Sequence, residues 1–256
     1  MSQQNRGRLT DATCQPQLGD ALFLDFDGTL VGFASRPDGV KPPDYLIPAL
    51  AAASDALDGA LAIVTGRTIE EIDRFLSPLV LPVAGVHGLV RRTAAGDLVG
   101  LDVETGQLAR ITATLEEHVR AKPELLIERK THGVALHYRQ APTLEDACQD
   151  VMDRAVAEAD QFHVQRGKFV IEARATGANK GTAIAAFLEE APFRGRRPVF
   201  FGDDVTDEDG FAVVNGVVGL SVKVGDGETS AQERVSGIAD VHRWVQALTE
   251  LKARSV

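Results

Sequence analysis

Short apolar runs alternate along the chain with segments of helical periodicity. Residues 21–26 and 61–67 are apolar runs that end in small or acidic residues, which is typical of buried parallel strands. Between them, residues 44–57 repeat apolar side chains about one helical turn apart. A third apolar run covers 81–88 after another helical segment. This alternation predicts an α/β fold, a doubly wound parallel sheet of the Rossmann-like type with helices on both faces.

The pattern changes after residue 92 and returns to strand–helix alternation after residue 174. The intervening segment has the pattern of a helix, two strands, a second helix and two further strands, αββαββ, which predicts an α+β domain inserted into the first. We therefore predict a core formed by 20–92 and 175–256, an inserted domain at 93–174 and a flexible N-terminal tail at 1–19.

Charge and composition exclude several partner classes. The formal net charge is −10, which argues against a nucleic-acid or membrane-surface partner, since both are anionic. No apolar run approaches the length of a membrane span, and the N-terminus lacks the apolar segment of a signal peptide. The two cysteines show no disulfide framework, which favours a cytoplasmic protein. These patterns contain no signal for an oligomeric state, and we expect a monomer.

The string DFDGTL at 25–30 places Asp25 and Asp27 at the end of the first predicted strand. Open α/β sheets bind ligands at that edge. A carboxylate there can attack phosphorus and form an aspartyl-phosphate, and a second acid can protonate the leaving group and later activate water. The alternative is a turn that only ends a strand. A calcium loop is a poor match, because the third acid and the final glutamate are missing.

Two other strand or helix ends carry groups that suit a phosphate. Thr65 in VTGR can donate a hydrogen bond to a phosphoryl oxygen, although a hydroxyl at this place is more often a helix cap. Lys180 in GANKG can place a point charge on phosphate, although a solvated surface lysine is the more common case.

The string FFGDDVTDED at 200–209 packs five acids into seven residues after a buried strand. Such a cluster repels itself without a counter-ion, and Mg²⁺ binds a few carboxylates together with substrate oxygens and water. The alternative is an acid-rich helix start, with a capping box formed by Thr206 and Asp209. We expect both to hold, with Asp203 and Asp204 facing a site.

The order of these motifs resembles that of the haloacid dehalogenase superfamily of phosphatases. The resemblance implies that Asp25 is the nucleophile and Asp27 the general acid/base. It implies that Mg²⁺ is held by Asp25, by the backbone carbonyl of Asp27 and by Asp203. Thr65 and Lys180 are implied to neutralise the phosphoryl group. Asp204 and Asp207 are implied to act on the site indirectly or through water. The inserted domain takes the position of the superfamily's cap, which selects the substrate.

Charged residues cluster in the two predicted hairpins of the insert. Glu128 and Lys130 alternate along one strand and so share a face, and Arg139 ends the partner strand. Lys168 and Glu172 lie on the second hairpin. Mixed acceptors and donors suit a polyhydroxylated ligand, and the alternative is cross-strand ion pairing on a solvent-facing sheet.

Together the motifs resemble those of the trehalose-6-phosphate phosphatase family over nearly the whole chain from about residue 20. The matching segments are DFDGTL, VTGR, GVHG, E-x-K…HYR, GK-x-x-IE-x-R, NKG and GDD-x-TDED. The resemblance implies Mg²⁺-dependent hydrolysis of trehalose 6-phosphate, with a small-molecule sugar phosphate as the partner. It implies sugar contacts from the charged insert residues, which are Glu128, Lys130, Arg139, Lys168 and Glu172.

Two further residues, Arg67 of VTGR and His87 of GVHG, are expected on the substrate side, although His87 fits a packed core histidine equally well. The chain departs from the family where Leu89, Val90 and Arg91 follow the His-Gly pair, since the family usually has an acid there. Alternatives are a related phosphatase acting on sucrose phosphate or a glycosyl-phosphoglycerate, and a non-catalytic module that senses a sugar phosphate.

Overall fold

A computed structural model of the chain describes residues 14–33, 39–100, 105–130 and 133–254. These residues form two compact units. The first takes in the chain up to Gly100 and from Ala178 onward, and the second is Leu101–Gly177. Among the described helices, none combines the length and the apolar character needed to cross a membrane.

In the described residues, the first unit is built on an eight-stranded sheet with the order β12-β11-β10-β1-β2-β3-β4-β5. The six strands from β12 to β3 are parallel, and β4 and β5 are added antiparallel at one edge. The strands are β1 (Asp20–Leu24), β2 (Leu61–Val64), β3 (Val83–Gly85), β4 (Val90–Arg92), β5 (Leu98–Gly100), β10 (Arg197–Gly202), β11 (Leu220–Val224) and β12 (Glu233–Val235). The helices are α1 (Leu46–Ala56), α2 (Ile69–Leu76), α5 (Lys180–Leu188), α6 (Glu208–Gly216) and α7 (Ile238–Arg254).

The largely parallel sheet confirms the predicted α/β class. The pattern did not locate β12, and it assigned residues 93–100 to the insert. In the structure β5 pairs with β4, so this hairpin extends the core sheet and the second unit begins after Gly100.

Strand β1 lies near the centre of the sheet and is buried along its whole length. Phe23 packs its ring against Phe187 and Phe193, with ring centroids 6.0 and 5.5 Å away. The predicted tail includes residues 14–19, and this described part lies against the core. Cys14 is buried, and its carbonyl accepts a hydrogen bond of 3.0 Å from the indole of Trp244.

The parallel register brings the carboxyl ends of three central strands together. Leu24 at the end of β1 is opposite Phe201 in β10 and Ile63 in β2. The backbone N–H of Asp25 then donates to the carbonyl of Phe201, at 3.0 Å. The segments that follow β1, β2 and β10 therefore meet at one edge of the sheet. These segments contain the acids of DFDGTL, the hydroxyl of VTGR and the acids of FFGDDVTDED.

The second unit has a four-stranded antiparallel sheet, in the order β6-β7-β9-β8 within the described residues. Its elements are α3 (Thr105–Val119), β6 (Leu126–Lys130), β7 (Gly133–His137), α4 (Glu145–Val156), β8 (Phe162–Gly167) and β9 (Val170–Ala175). Alternation along β9 buries Ile171 and Ala173 on one face, next to Val134 and Leu136 of β7. The opposite face carries Glu128 and Lys130 of the first hairpin and Glu172 and Arg174 of the second.

Candidate active site

Lys180 connects the first and last motifs through a buried ion-pair network. It is the first residue of α5, whose N-cap Asn179 forms a capping box with Thr182. Its ammonium donates to Oδ1 of Asp25 at 2.8 Å and to Oδ1 of Asp207 at 2.7 Å. All three side chains are buried, so Lys180 is not a solvated surface lysine.

The turn after β1 lets the last acidic motif approach the first. Gly28 has φ +80°, and a Cβ atom there would lie 2.1 Å from Oδ2 of Asp203. The hydroxyl of Thr29 donates to Oδ1 of the same carboxylate, at 3.3 Å. The glycine of DFDGTL is therefore needed for the close approach of Asp203 as well as for the turn.

Asp207 organises the acidic loop after β10. Its Oδ2 accepts hydrogen bonds from the backbone N–H groups of Asp203 and Asp204, at 3.0 and 2.9 Å. Asp204 is exposed, and its carboxylate accepts from the N–H of Val205 at 2.6 Å. The predicted capping box of Thr206 and Asp209 is wrong, because Asp204 and Asp207 form the box two residues earlier.

Sequence reasoning missed Lys223, a buried lysine in β11. Its ammonium donates to the backbone carbonyl of Asp203 and so fixes the backbone at the acid that follows β10. The signal was present in the sequence, since a lysine inside the apolar strand VGLSVKVG has to meet a polar partner when it is buried.

The acidic cluster has the electrostatics of a cation site. Carboxylate oxygens of Asp25, Asp203 and Asp207 all lie within 4.8 Å of one another. Burial raises the pKa of Asp25 well above its usual value, against the opposing effect of Lys180, and burial also raises the pKa of Asp203. The ammonium groups of Lys180 and Lys223 are fewer than the three carboxylates, so the ionised cluster keeps a negative charge, which suits a hard divalent cation with oxygen ligands.

The three acids differ in how many carboxylate oxygens remain available to bind a cation. Both oxygens of Asp207 are already bound by Lys180 and by two backbone N–H groups. Asp25 gives one oxygen, Oδ1, to Lys180, and Oδ1 of Asp203 accepts from the hydroxyl of Thr29. Asp25 and Asp203 therefore have oxygen lone pairs for a cation, whereas Asp207 holds the loop in place.

Asp27 is bound to Arg67 rather than to the buried network. The guanidinium donates from Nε to Oδ2 at 2.6 Å and from Nη2 to Oδ1 at 2.8 Å. The carboxylate raises the pKa of Arg67 through this hydrogen bond, against the effect of partial burial. Arg67 was predicted to face substrate, and in the structure its guanidinium is engaged by the predicted general acid/base.

Thr65 and His87 meet at the edge of the sheet where β1, β2 and β10 end. Thr65 is buried, and its hydroxyl oxygen accepts from the N–H of Arg67 at 3.2 Å, so the hydroxyl hydrogen can point to another acceptor. The N–H of His87 donates to the carbonyl of Thr65 at 2.8 Å. The ring lies against Gly66, where a Cβ atom would approach it to 2.7 Å. His87 is half-buried, and its left-handed φ of 56° is fixed by these contacts.

In the second unit, three of the five predicted sugar contacts share one sheet face. Glu128 accepts from Nε2 of His137 at 2.9 Å, and Lys130 donates to Glu172 at 2.9 Å. Arg174, which the sequence reasoning did not single out, lies on the same face with Nε 3.9 Å from a Glu172 oxygen. These side chains pair with one another, as the cross-strand alternative expected.

The other two predicted sugar contacts lie outside the strands, after the end of β7 and in the turn between β8 and β9. Arg139 follows β7, and its guanidinium lies 5.4 Å from the ring centroid of Phe169. Lys168 is exposed in the turn between β8 and β9, next to that ring in the chain. The structure thus separates Arg139 and Lys168 from the group formed by Glu128, Lys130 and Glu172.

Comparison with known proteins finds relatives over most of the chain. A sequence model of the trehalose-phosphatase family matches residues 23–239. The trehalose-6-phosphate phosphatase of Escherichia coli (strain K12) is 43% identical over 229 residues, which are 90% of this chain and 86% of that protein. A probable trehalose-phosphate phosphatase of Sinorhizobium fredii is 44% identical over 206 residues, 80% of this chain and 77% of its own length.

Solved structures give the same result. The crystal structure of a trehalose-6-phosphate phosphatase related protein superposes with a TM-score of 0.68 at 29% identity, covering 92% of this chain and 99% of that one. The family match spans every core motif from DFDGTL to GDD-x-TDED. The chain is a phosphatase and belongs to the trehalose-phosphatase family.

Proposed function

We propose that this chain hydrolyses trehalose 6-phosphate to trehalose and phosphate through an aspartyl-phosphate on Asp25. The observation that carries the proposal is the buried network in which Lys180 joins Asp25 to the acidic loop of Asp203 and Asp207. The substrate is inferred from relatives that are named for trehalose 6-phosphate and match most of the chain.

The first half-reaction transfers the phosphoryl group to the enzyme. Lys180 holds one carboxylate oxygen of Asp25, and the other oxygen attacks phosphorus. Lys180 and the hydroxyl of Thr65 donate to phosphoryl oxygens as charge spreads over them. The ester P–O bond breaks, and the leaving sugar oxygen takes a proton from the carboxyl group of Asp27.

The second half-reaction returns the enzyme to its starting state. Asp27, now ionised, takes a proton from a water molecule as that water attacks the phosphorus of the aspartyl-phosphate. The bond from phosphorus to Asp25 breaks, inorganic phosphate leaves, and Asp27 is protonated again. Asp27 thus acts as general acid in the first half-reaction and as general base in the second, while Asp25 is first the nucleophile and then the leaving group. The net reaction consumes one water.

Mg²⁺ fits the acidic cluster, and we infer that Asp25, Asp203 and the backbone carbonyl of Asp27 hold it. When bound, it supplies positive charge next to the transferred phosphoryl group. Asp207 and Asp204 act on this site through the loop that they cap, since Asp207 fixes the backbone of Asp203 directly.

We further infer that the polar face of the second unit, defined by Glu128, Lys130, His137, Glu172 and Arg174, binds the disaccharide. Its carboxylates accept hydrogen bonds from sugar hydroxyls, and its cations donate them. Arg139 and Lys168 extend this face at the far end, and His87 and Arg67 lie on the phosphate side in the core. The mutual hydrogen bonds of the face hold its side chains in place before the sugar binds.

The test of this function is phosphate release from a panel of sugar phosphates with Mg²⁺. We expect turnover of trehalose 6-phosphate to exceed that of sucrose 6-phosphate, glucose 6-phosphate and a glycosyl-phosphoglycerate by at least about 100-fold in kcat/KM, because a polar face built for one disaccharide leaves groups unpaired with another. Preferred turnover of sucrose phosphate would refute the trehalose assignment. Sugar-phosphate binding without any turnover would instead indicate the sensing module.

Magnesium binding is expected to weaken as the pH falls. Burial raises the pKa values of Asp25 and Asp203, so protons compete with the cation for their oxygens. The dissociation constant of Mg²⁺, measured by calorimetry without substrate, should rise by up to about tenfold per pH unit and per displaced proton below those pKa values. Asp203→Asn should bind Mg²⁺ weakly and with a smaller pH dependence. Equal affinity of the wild type at all pH values would contradict this assignment of ligands.

Glu128→Ala is expected to lower kcat/KM for trehalose 6-phosphate by about 10- to 100-fold, the effect of losing a charged hydrogen-bond partner. Activity on 4-nitrophenyl phosphate, which has no sugar, should stay within about twofold. Glu158→Ala is the matched control, because this exposed glutamate follows α4 and lies outside the polar face. A similar loss on both substrates would exclude a sugar-binding role for Glu128.

A further inference from the structure

The Arg67 guanidinium forms a planar, two-bond fork with the carboxylate of Asp27. Its two N–H···O distances are 2.6 and 2.8 Å, one to each carboxylate oxygen. This bidentate geometry fixes the plane of the carboxyl group as well as its position, which a single hydrogen bond does not do. Each oxygen keeps a second lone pair that can bind a proton and face the leaving group.

Arg67 is itself held from several sides, so it is a rigid partner. Its guanidinium carbon lies 4.9 Å from the ring centroid of Phe75 and 5.8 Å from that of Phe26. Nη1 is 3.4 Å from Oε1 of Glu71, one helical turn further along α2. The carbonyl of Arg67 accepts from the N–H of Val86, at 2.8 Å. The side chain is only 11% exposed.

Asp27 by contrast needs such a partner. Its side chain is 26% exposed, it follows the end of β1, and no other side chain is hydrogen-bonded to its carboxylate in the part of the chain that the structure describes. A short acidic side chain in a turn has several rotamers available. Proton transfer to a leaving oxygen depends on placement to within about 1 Å, and a displacement of that size can cost about 100-fold in rate.

We propose that Arg67 is a positioning residue that aligns the Asp27 carboxyl group for proton transfer to the leaving sugar oxygen, rather than a substrate contact. This inference deepens the proposed function and rests on the acid/base role that it gives Asp27. It predicts that the importance of Arg67 depends on the leaving group. A sugar alkoxide must be protonated as it departs, whereas 4-nitrophenolate leaves as a stable anion.

The test compares kcat/KM for the two leaving groups in Arg67→Lys, which keeps the positive charge and loses the planar fork. We expect a loss of about 10- to 100-fold on trehalose 6-phosphate and of less than about threefold on 4-nitrophenyl phosphate. Asp27→Asn should show the same selectivity with a larger loss on the sugar ester. Arg74→Lys is the matched control, because Arg74 also stacks on Phe75, at 5.0 Å, but is exposed on α2 and has no contact to Asp27. It should leave both activities unchanged.

Three outcomes would overturn the proposal. An equal loss on both substrates would place Arg67 on the phosphoryl group or in the fold, and thermal unfolding of the variant separates these two. A raised KM for the sugar ester with unchanged kcat would make Arg67 a substrate contact. Unchanged kinetics would remove it from the reaction.

The substrate preference of the wild type shows separately whether the trehalose 6-phosphate assignment is wrong. If the wild type prefers another sugar phosphate, the loss of kcat/KM in Arg67→Lys is measured with that ester and with 4-nitrophenyl phosphate. The comparison of these two losses then tests the role of Arg67. If Asp27→Asn shows no leaving-group selectivity, the acid/base role fails, and the Arg67 proposal fails with it.

Discussion

Asp25→Asn is expected to reduce turnover of trehalose 6-phosphate by about four orders of magnitude or more, the effect seen when a covalent nucleophile is removed. The amide is close in shape and can still accept a hydrogen bond from Lys180, so the site should stay assembled. It has no anionic oxygen to attack phosphorus. The measurements are phosphate release at saturating Mg²⁺ and intact-protein mass after rapid quenching, where only the wild type should carry an added phosphoryl group.

The matched control for this substitution is Asp20, which begins the strand that Asp25 follows. Asp20 is buried at the start of β1 and binds Arg197 through two hydrogen bonds of 2.8 and 2.9 Å. Asp20→Asn should lower the free energy of unfolding by about 2 kcal/mol, because it weakens this charged pair. It should leave kcat unchanged where the protein is folded. Substantial turnover in Asp25→Asn, above that of an Asp25→Asn/Asp27→Asn double variant, would refute the nucleophile assignment.

The strand and helix patterns were sufficient to predict the core, because burial on both faces leaves a clear signature in a parallel strand. β1 is an apolar run with every residue buried, and α1 lies within the segment 44–57 that its periodicity predicted. The edge strands gave weaker signals. β5 is exposed along its length and joins the core only through its pairing with β4, so local pattern assigned it to the insert.

The motifs located the site, but the partners of each side chain depend on sheet register and loop geometry. Lys180 could be proposed as a phosphate ligand from its position before a helix, whereas its pairing with Asp207 follows from the way the loop after β10 turns back. In the same way, DFDGTL singled out Asp27, but the Arg67 fork arises because β2 lies next to β1 in the sheet. Lys223 was missed because its role is a contact to a backbone carbonyl, which has no side-chain motif.

Lys180→Met is expected to lose activity by about 10³-fold and also to destabilise the fold. Lys180 is the cation between Asp25 and Asp207, and its removal leaves buried carboxylates without an ammonium. Breaking a buried ion pair from one side costs about 3–5 kcal/mol of unfolding free energy. The loss of activity has a separate cause, since Lys180 also neutralises the phosphoryl group. The measurements are steady-state kinetics and urea unfolding without Mg²⁺.

The pH dependence of that destabilisation identifies its origin. Burial already raises the pKa of Asp25, and without Lys180 this rise is no longer opposed. A carboxyl group whose folded pKa exceeds its unfolded value takes up a proton on folding, so the variant should gain stability as the pH falls through that raised pKa. Mg²⁺ should restore part of the loss at neutral pH, because it binds the folded state.

Lys223→Met provides the matched comparison, because it removes a buried ammonium whose bonded acceptor is the uncharged carbonyl of Asp203. Its loss of stability should not be recovered by acid in the same way. An ordinary aspartate is ionised at every pH between about 5.5 and about 8. If Lys180→Met is no more stable at the lower of these pH values than at the higher, uncompensated carboxylate charge is not the cause of its destabilisation. Asp25 and Asp207 would then not be held together by the charge of Lys180, and the electrostatic argument for a divalent cation at Asp25 and Asp203 would lose its basis.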